Sequence, residues 1–194
     1  MQDSRTPWAL LRAVARAQRW ITGIYRLDLE LRAEQFVVAP EAARRLLPAA
    51  SPRSGMIVID EEGGARLGLY IDPRDARDAD TIIEETSHFV SLAWHASRDL
   101  PVSRLLLELQ GEVDRFAVAR LVGRDGLSHF HGFTWGDWMD PPTRELYALA
   151  HACARRYCRR LSQRFPTRAD TPALLDELRR FYRAPPDQKL QGIS

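Results

Sequence analysis

The sequence predicts an α+β fold, in which a small antiparallel sheet with a hairpin is followed by a mainly helical half. Three patterns favour this class. Residues 25–32 alternate between apolar and polar side chains, as a half-buried strand does. Two apolar runs flank Glu61-Glu62-Gly63-Gly64, which is typical of a hairpin turn. From residue 80 onward the apolar residues recur at helical spacing.

The elements follow in order along the chain. The first helix is predicted at 7–22, where Trp8, Val14 and Trp20 form an apolar stripe with arginines opposite. A strand is predicted at 25–32 and a short helix at Pro40–Leu47. The hairpin strands are 56–60 and 65–71, and the later helices are 80–97, 102–122, 142–165 and 171–182. We expect the tail from Ala184 to be loose.

Length and composition indicate one soluble domain. The 194 residues, 45% hydrophobic and 28% charged, are enough for a single core. We therefore expect one domain over 1–194, with a sheet-containing part at 1–72 and a helical part at 80–183. The net charge of +2 is too small to indicate nucleic-acid binding. No apolar run reaches the roughly 18–20 residues of a membrane span, so no membrane association is expected.

The cysteines and the amino-terminal stretch favour the cytoplasm. Cys153 and Cys158 are five residues apart on a predicted helix, so their side chains diverge and a disulfide is not expected. The apolar amino-terminal stretch is interrupted by Arg12, Arg16 and Arg19, unlike the apolar core of a signal peptide. The oligomeric state is not encoded in any of these patterns.

The candidate functional site lies in residues 81–118. Glu84 and His88 are four residues apart on a predicted helix, which places them on one face with their Cβ atoms about 5–6 Å apart. Glu108 and Glu112 repeat this spacing among apolar residues of the next helix. Carboxylates on the apolar side of a helix are costly unless a cation neutralises them. Either a metal ion or arginine would meet that need.

The segment Glu84-Glu85-Thr86-Ser87-His88 resembles the His-Glu-x-x-His motif of gluzincin-type zinc metallopeptidases, with glutamate in place of the first histidine. Glu108 follows His88 by 20 residues, as the third ligand does in the thermolysin-like branch, and Glu112 stands where that branch has aspartate. The resemblance implies a zinc-dependent hydrolase acting on peptides or proteins. Glu84, His88 and Glu108 would bind zinc, Glu85 would be the general base, and Glu112 would support a ligand.

Two further resemblances accompany this one. The stretches SHFVSLAWHA and LELQGEVDRF also look like a family of short, uncharacterised bacterial proteins, which implies no activity. Glu85-x-x-His88 resembles half of the ligand set of di-iron carboxylate bundles. Such bundles carry this motif twice, and the second copy is missing here.

A non-enzymatic interpretation stays open beside the metal hypothesis. Thr81 can act as a helix N-cap with Glu84 reaching back to its amide, as in a capping box. Glu108 and Glu112 can pair with Arg104, Arg115 or an arginine of the 155–164 helix, since arginine is plentiful. The chain would then be a helical interaction module with an internal Glu/Arg ionic network.

Other histidines and one cysteine are secondary candidates. His151 and Cys158 are seven residues apart on one helix face, and both are metal-ligand types that can supplement the site. His95 shares the face of His88, but we expect it to face solvent. His129 and His131 lie in an aromatic loop with Phe133, Trp135 and Trp138, for which packing on the core is expected.

Overall fold

The computed structural model describes residues 8–46, 54–61, 64–131 and 139–191. Its helices are α1 (Trp8–Tyr25), α2 (Pro40–Leu46), α3 (Ala79–Ala96), α4 (Arg104–Leu121), α5 (Pro141–Arg164), α6 (Thr171–Arg183) and α7 (Pro186–Gln191). Its strands are β1 (Gly55–Glu61) and β2 (Gly64–Tyr70). The predicted α+β class, with one antiparallel hairpin and a mainly helical remainder, is confirmed.

Helix α1 buries a different stripe from the predicted one. The buried residues recur at helical spacing and are Leu10, Val14, Ala17, Ile21 and Ile24. Trp8 is 79% exposed and Trp20 is 38% exposed, so both tryptophans lie off the buried face. The helix ends at Tyr25 because Arg26 adopts a left-handed conformation, with φ of 50°, and the Leu27 amide donates to the Thr22 carbonyl.

The predicted strand at 25–32 is wrong. Tyr25 belongs to α1, and residues 26–32 join no ladder in the described part of the chain. The side chain of Gln18 forms the hydrogen bonds that a neighbouring strand would otherwise form with this segment. Its Nε2 donates to the Leu31 carbonyl at 2.7 Å, and its Oε1 accepts from the Ala33 amide at 2.6 Å. Leu27 and Leu29 still pack against the core, so the alternation identified the inward face correctly.

The hairpin has the predicted position. β1 and β2 are antiparallel, with Gly55 opposite Tyr70, Val58 opposite Leu67 and Glu61 opposite Gly64. Residues 62–63 of the predicted turn lie outside the described residues. The preceding segment adds a parallel bridge between Val37 and Leu69.

The main core forms where α4 packs between α3 and α5 while α1 covers α3. Its most deeply buried members include Phe89, Val113, Phe116 and Cys158. The tail expected to be loose instead contains α7, whose residue Lys189 is only 6% exposed. Within the described residues, no helix combines the length and the apolar character that crossing a membrane requires.

Candidate metal centre

The start of α3 leaves Glu84 available to the neighbouring helix. The side chain of Asp78 caps α3 by accepting from the Asp80 amide at 3.1 Å, and it also accepts from the Thr81 hydroxyl at 2.7 Å. The capping box predicted for Thr81 and Glu84 is therefore wrong, because another residue fills the capping position. Glu84 instead points toward α4, where it meets Arg115.

Glu84, His88 and Glu108 converge between α3 and α4. One ligand atom from each of them lies within 4.8 Å of the other two. The His88 Nε2 atom is 3.6 Å from Glu108 Oε2, which is too long for a hydrogen bond. Two ligands of one tetrahedral zinc ion, each about 2.1 Å from the metal, stand about 3.4 Å apart. The buried His88 Nε2 has no hydrogen-bond partner, so the three side chains have a spacing suited to a metal ion and leave one ring nitrogen unpaired.

The other ring nitrogen of His88 faces Glu85. His88 Nδ1 is 3.3 Å from Glu85 Oε2, and both side chains are buried. An imidazole that donates Nδ1–H to a carboxylate presents the Nε2 lone pair to a metal, and such carboxylates commonly orient metal-binding histidines. The contact therefore places Glu85 on the side of the ring opposite Glu108.

The close approach of α3 and α4 depends on Gly111. A Cβ atom at this position would lie 3.1 Å from His88 Nε2 and 3.3 Å from Glu84 Cγ. Glycine within a helix costs about 0.5–1 kcal/mol relative to alanine, so its presence between Glu108 and Glu112 has a packing reason. Gly111 was not predicted as part of the site, although a glycine inside a helical pattern is a recognisable signal.

Glu112 forms a second cluster on the same side of α4. Its Oε1 is 2.8 Å from His151 Nδ1, and its Oε2 is 2.9 Å from His129 Nε2. Burial would raise the pKa of Glu112, but the two histidines and Arg115 lower it to about 2. His151, predicted to support the site, thus contacts Glu112. The partnership of His129 was missed, because nothing in the sequence spacing links the 3-10 turn Ser128–Phe130 to α4.

Arg115 joins the two clusters. Its Nη1 is 3.2 Å from Glu84 Oε2 and 3.6 Å from Glu112 Oε2. The predicted pairing of Arg115 with Glu112 is confirmed, and Arg104 likewise lies 3.9 Å from Glu108. These pairs supply the ionic network of the second hypothesis.

Burial and the neighbouring charges shift the pKa values of all three side chains of the trio. Burial raises the pKa of Glu84 to about 8 in spite of Arg115, and burial also raises the pKa of Glu108. Burial would lower the pKa of His88, but Glu108 and Glu85 raise it to about 10. The cluster therefore retains protons near neutral pH, and a divalent cation binding to it would displace them.

Tyr147 and Arg104 form the outer side of the trio. The Tyr147 hydroxyl hydrogen-bonds Glu108, and the Arg104 guanidinium lies 5.3 Å from the centre of the Tyr147 ring. Arg104 is 55% exposed at its side chain, whereas Glu108 is 8% exposed. Tyr147 was not predicted as part of the site, because it lies 39 residues beyond Glu108, on α5.

The remaining candidates lie apart from the trio. Cys158 is fully buried, its pKa is raised by that burial, and its thiol is not among the converging ligand atoms. Both cysteines are free, as predicted. His95 Nδ1 contacts the Ser91 carbonyl at 2.7 Å, and His131 is exposed. The predicted packing of Phe133, Trp135 and Trp138 lies outside the described residues.

The chain matches no protein-family model, no curated protein and no solved structure.

Proposed function

We propose that this protein is a zinc-dependent hydrolase of the peptidase type, with Glu84, His88 and Glu108 as its metal ligands. The observation that carries the proposal is the convergence of these three side chains around a buried His88 Nε2 atom without a hydrogen-bond partner. Three protein ligands leave the fourth tetrahedral position open, as catalytic zinc sites do. Zinc bound there would supply a water molecule of lowered pKa for attack on an amide.

The ligand set also defines the character of the site. Two carboxylates transfer more negative charge to a metal than two histidines do, so we expect its water to be less acidic than in a His-Glu-x-x-His site. Tyr147 and Arg104 at the outer side provide a hydroxyl and a guanidinium where a substrate carbonyl would approach. Glu85 is assigned the role of orienting His88 through Nδ1, which differs from the general-base role implied by the motif resemblance.

Metal binding is the direct test. The protein would be dialysed against zinc and then against buffer, and its zinc content measured by mass spectrometry. We expect about one zinc per chain, lost in His88→Ala and reduced in Glu108→Gln. Glu145→Gln on the exposed side of α5 is the matched control. Wild-type protein without zinc after loading would refute the proposal.

Two substitutions refine the site once zinc binds. Gly111→Ala should weaken zinc binding, because its Cβ would displace the His88 ring. Glu85→Gln separates its two roles. If Glu85 orients His88, the variant should bind zinc about 10–100-fold more weakly. If Glu85 is the general base, the variant should keep its zinc affinity, and its peptide turnover should fall by about 10²–10⁴-fold. Turnover would be followed by mass spectrometry on a mixed peptide library.

A helical interaction module with an internal ionic network is the second candidate. The contact of Arg115 with both Glu84 and Glu112 favours it. Arg115→Met distinguishes the two. If the cluster is only an ionic network, the variant should be destabilised with or without zinc. If the cluster binds metal, zinc should restore much of the lost stability, because a ligand of the folded state stabilises it by mass action.

A further inference from the structure

An apolar slot lies away from the metal trio, between α1, the beginning of α3 and the end of α4. Its volume is about 390 Å³, within the usual range of small-molecule sites. The inner wall consists of Ala17, Ile82, Ile83 and Val118, all buried in the core. Residues of α1 contribute at positions 13, 16, 17 and 20, which form one face of the helix.

The outer wall of the slot exposes large apolar side chains to water. Trp20 is 38% exposed and Val122 is 46% exposed, and both line the slot. Covering them with an apolar ligand is favourable, because it removes apolar surface from water. The slot thus offers an apolar ligand both a buried wall and an exposed one.

Three arginines surround this apolar surface. Arg124 lies 3.4 Å from Asp80, whereas Arg16 and Arg77 form no ion pair within the described residues. Arg124 also lines an adjacent cavity of about 140 Å³, to which Arg120 and Arg168 contribute. A cation-rich rim beside an apolar wall is complementary to a molecule with an anionic end and an apolar body.

We propose that the slot binds a single-chain amphiphile with an anionic head group, either a carboxylate or a phosphate. The chain lies along Trp20 and Val122, and the head group binds Arg16, Arg77 and Arg124. The volume of about 390 Å³ lies near the lower end of the range of small-molecule sites, so we expect a short chain such as that of decanoate. A long unbroken chain of a membrane lipid would not be contained in it.

Binding of four compounds with ten-carbon chains, each below its critical micelle concentration, tests which head group the slot recognises. Decanoate and decyl phosphate should bind, with a change in tryptophan fluorescence that Trp20→Phe reduces. Decyltrimethylammonium and decyl maltoside should bind at least about tenfold more weakly, since they lack the charge that arginine attracts. Binding of decanoate and decyl phosphate should weaken in 0.5 M salt because the rim is exposed. The tighter of the two anions identifies the head group.

Two variants and one control variant test the location. Arg77→Ala should weaken decanoate or decyl phosphate binding about fivefold, as expected for an exposed ion pair. Arg45→Ala on α2, another exposed arginine, is the control and should leave the binding unchanged. Ala79→Leu should obstruct the slot without altering the core, because Ala79 is exposed.

Three results would overturn the proposal. Equal affinity for the anionic, cationic and neutral decyl compounds would show apolar adsorption without head-group recognition. Equal effects of Arg77→Ala and Arg45→Ala would place binding elsewhere. Inorganic phosphate competing as well as decyl phosphate would show that the apolar wall contributes nothing.

Discussion

Glu112 and Asp114 are buried carboxylates on the same helix, separated by one residue, and their pKa values are shifted in opposite directions. The pKa of Glu112 is lowered to about 2, and that of Asp114 is raised to about 6. Residues two apart on an α-helix face different sides, so each carboxylate has its own surroundings. Glu112 faces the side of the metal centre, and Asp114 faces the core beneath α1.

The partners of the two carboxylates explain the difference. Glu112 contacts His129, His151 and Arg115, all of which can carry positive charge. Asp114 accepts hydrogen bonds from neutral groups: the Ser87 hydroxyl at 2.5 Å, the Gln110 amide at 2.9 Å and the Tyr25 hydroxyl.

Burial acts on both carboxylates in the same direction, raising the pKa, so depth does not separate them. The exposed fractions are 6% for Glu112 and 0% for Asp114. Charged neighbours overcome the desolvation of Glu112, whereas neutral donors only partly offset that of Asp114. One face of α4 is therefore suited to hold charge and the other to hold a hydrogen-bond network.

The largest expected effect is on the core face. Asp114→Ala removes the common acceptor of Tyr25, Ser87 and Gln110. Gln110 Nε2 still donates to the Tyr25 hydroxyl at 3.0 Å, so two buried hydroxyl donors lose their acceptor, each at a cost of about 1–3 kcal/mol. We expect the free energy of unfolding to fall by about 3–5 kcal/mol, measured by urea titration at pH 7.

Two variants act as controls for this prediction. Asp114→Asn retains an acceptor oxygen and should lose roughly half as much. Asp28→Ala, at an exposed position, should be nearly neutral. A loss below about 1 kcal/mol in Asp114→Ala would mean that water replaces the carboxylate and that the network adds little stability.

The next largest effect is the pH dependence of stability, which should differ between the Glu112 face and the Asp114 face of α4. The pKa of Glu112 is below its usual value of 4.5. Its ionised form therefore contributes fully to the stability of the fold above pH 4.5, and this contribution disappears as the pH falls toward 2. Near pH 7, the free energy of unfolding of chelator-treated wild type should exceed that of Glu112→Gln by about 3 kcal/mol at most, because each pKa unit corresponds to about 1.36 kcal/mol. That difference should shrink below pH 4.5.

Asp114 should behave in the opposite way. Its pKa is raised from 3.8 to about 6, so the folded protein binds the extra proton and loses stability as the pH rises from about 4 to about 6. Asp114→Asn should lack this decline, which urea titrations at several pH values would measure. Parallel pH profiles for Glu112→Gln and Asp114→Asn would contradict the assignment of opposite environments.

The sequence predicted those parts of the site that depend on local spacing. Glu84 and His88 share a helix face because they are four residues apart, and Glu108 lies on the facing side of the next helix. The hairpin was predictable for a similar reason, since its turn residues and its alternation are adjacent in the chain. These patterns act over a few residues and do not depend on how distant elements pack.

Contacts between distant elements could not be predicted in this way. Tyr25 and Asp114 are 89 residues apart, and His151 and Glu112 are 39 apart. Their pairing depends on the packing of whole helices, which residue spacing does not encode. The failed strand at 25–32 has the same cause, because alternation reports which face is buried and not whether a partner strand exists. The side chain of Gln18 instead hydrogen-bonds the Leu31 carbonyl and the Ala33 amide.

The smallest effect concerns Lys189, a cation whose charge acts on Asp114. Lys189 is the only lysine of the chain and is 6% exposed, with its ammonium 5.4 Å from the ring centres of Phe181 and Tyr182. Burial lowers the pKa of Lys189 to about 8, and its charge lowers the pKa of Asp114.

Lys189→Met keeps the apolar packing on those rings and removes the charge. The pKa of Asp114 should then rise above about 6 by less than about one unit, because a single charge without a hydrogen bond is a secondary influence. Carboxyl carbon NMR would measure the shift, and the stability decline described above should move to higher pH by the same amount. Gln188→Met, at the exposed neighbouring position, should leave the pKa of Asp114 unchanged. If the pKa of Asp114 is also unchanged in Lys189→Met, burial and neutral donors alone determine it. Asp114 would then differ from Glu112 in having no charged group that shifts its pKa.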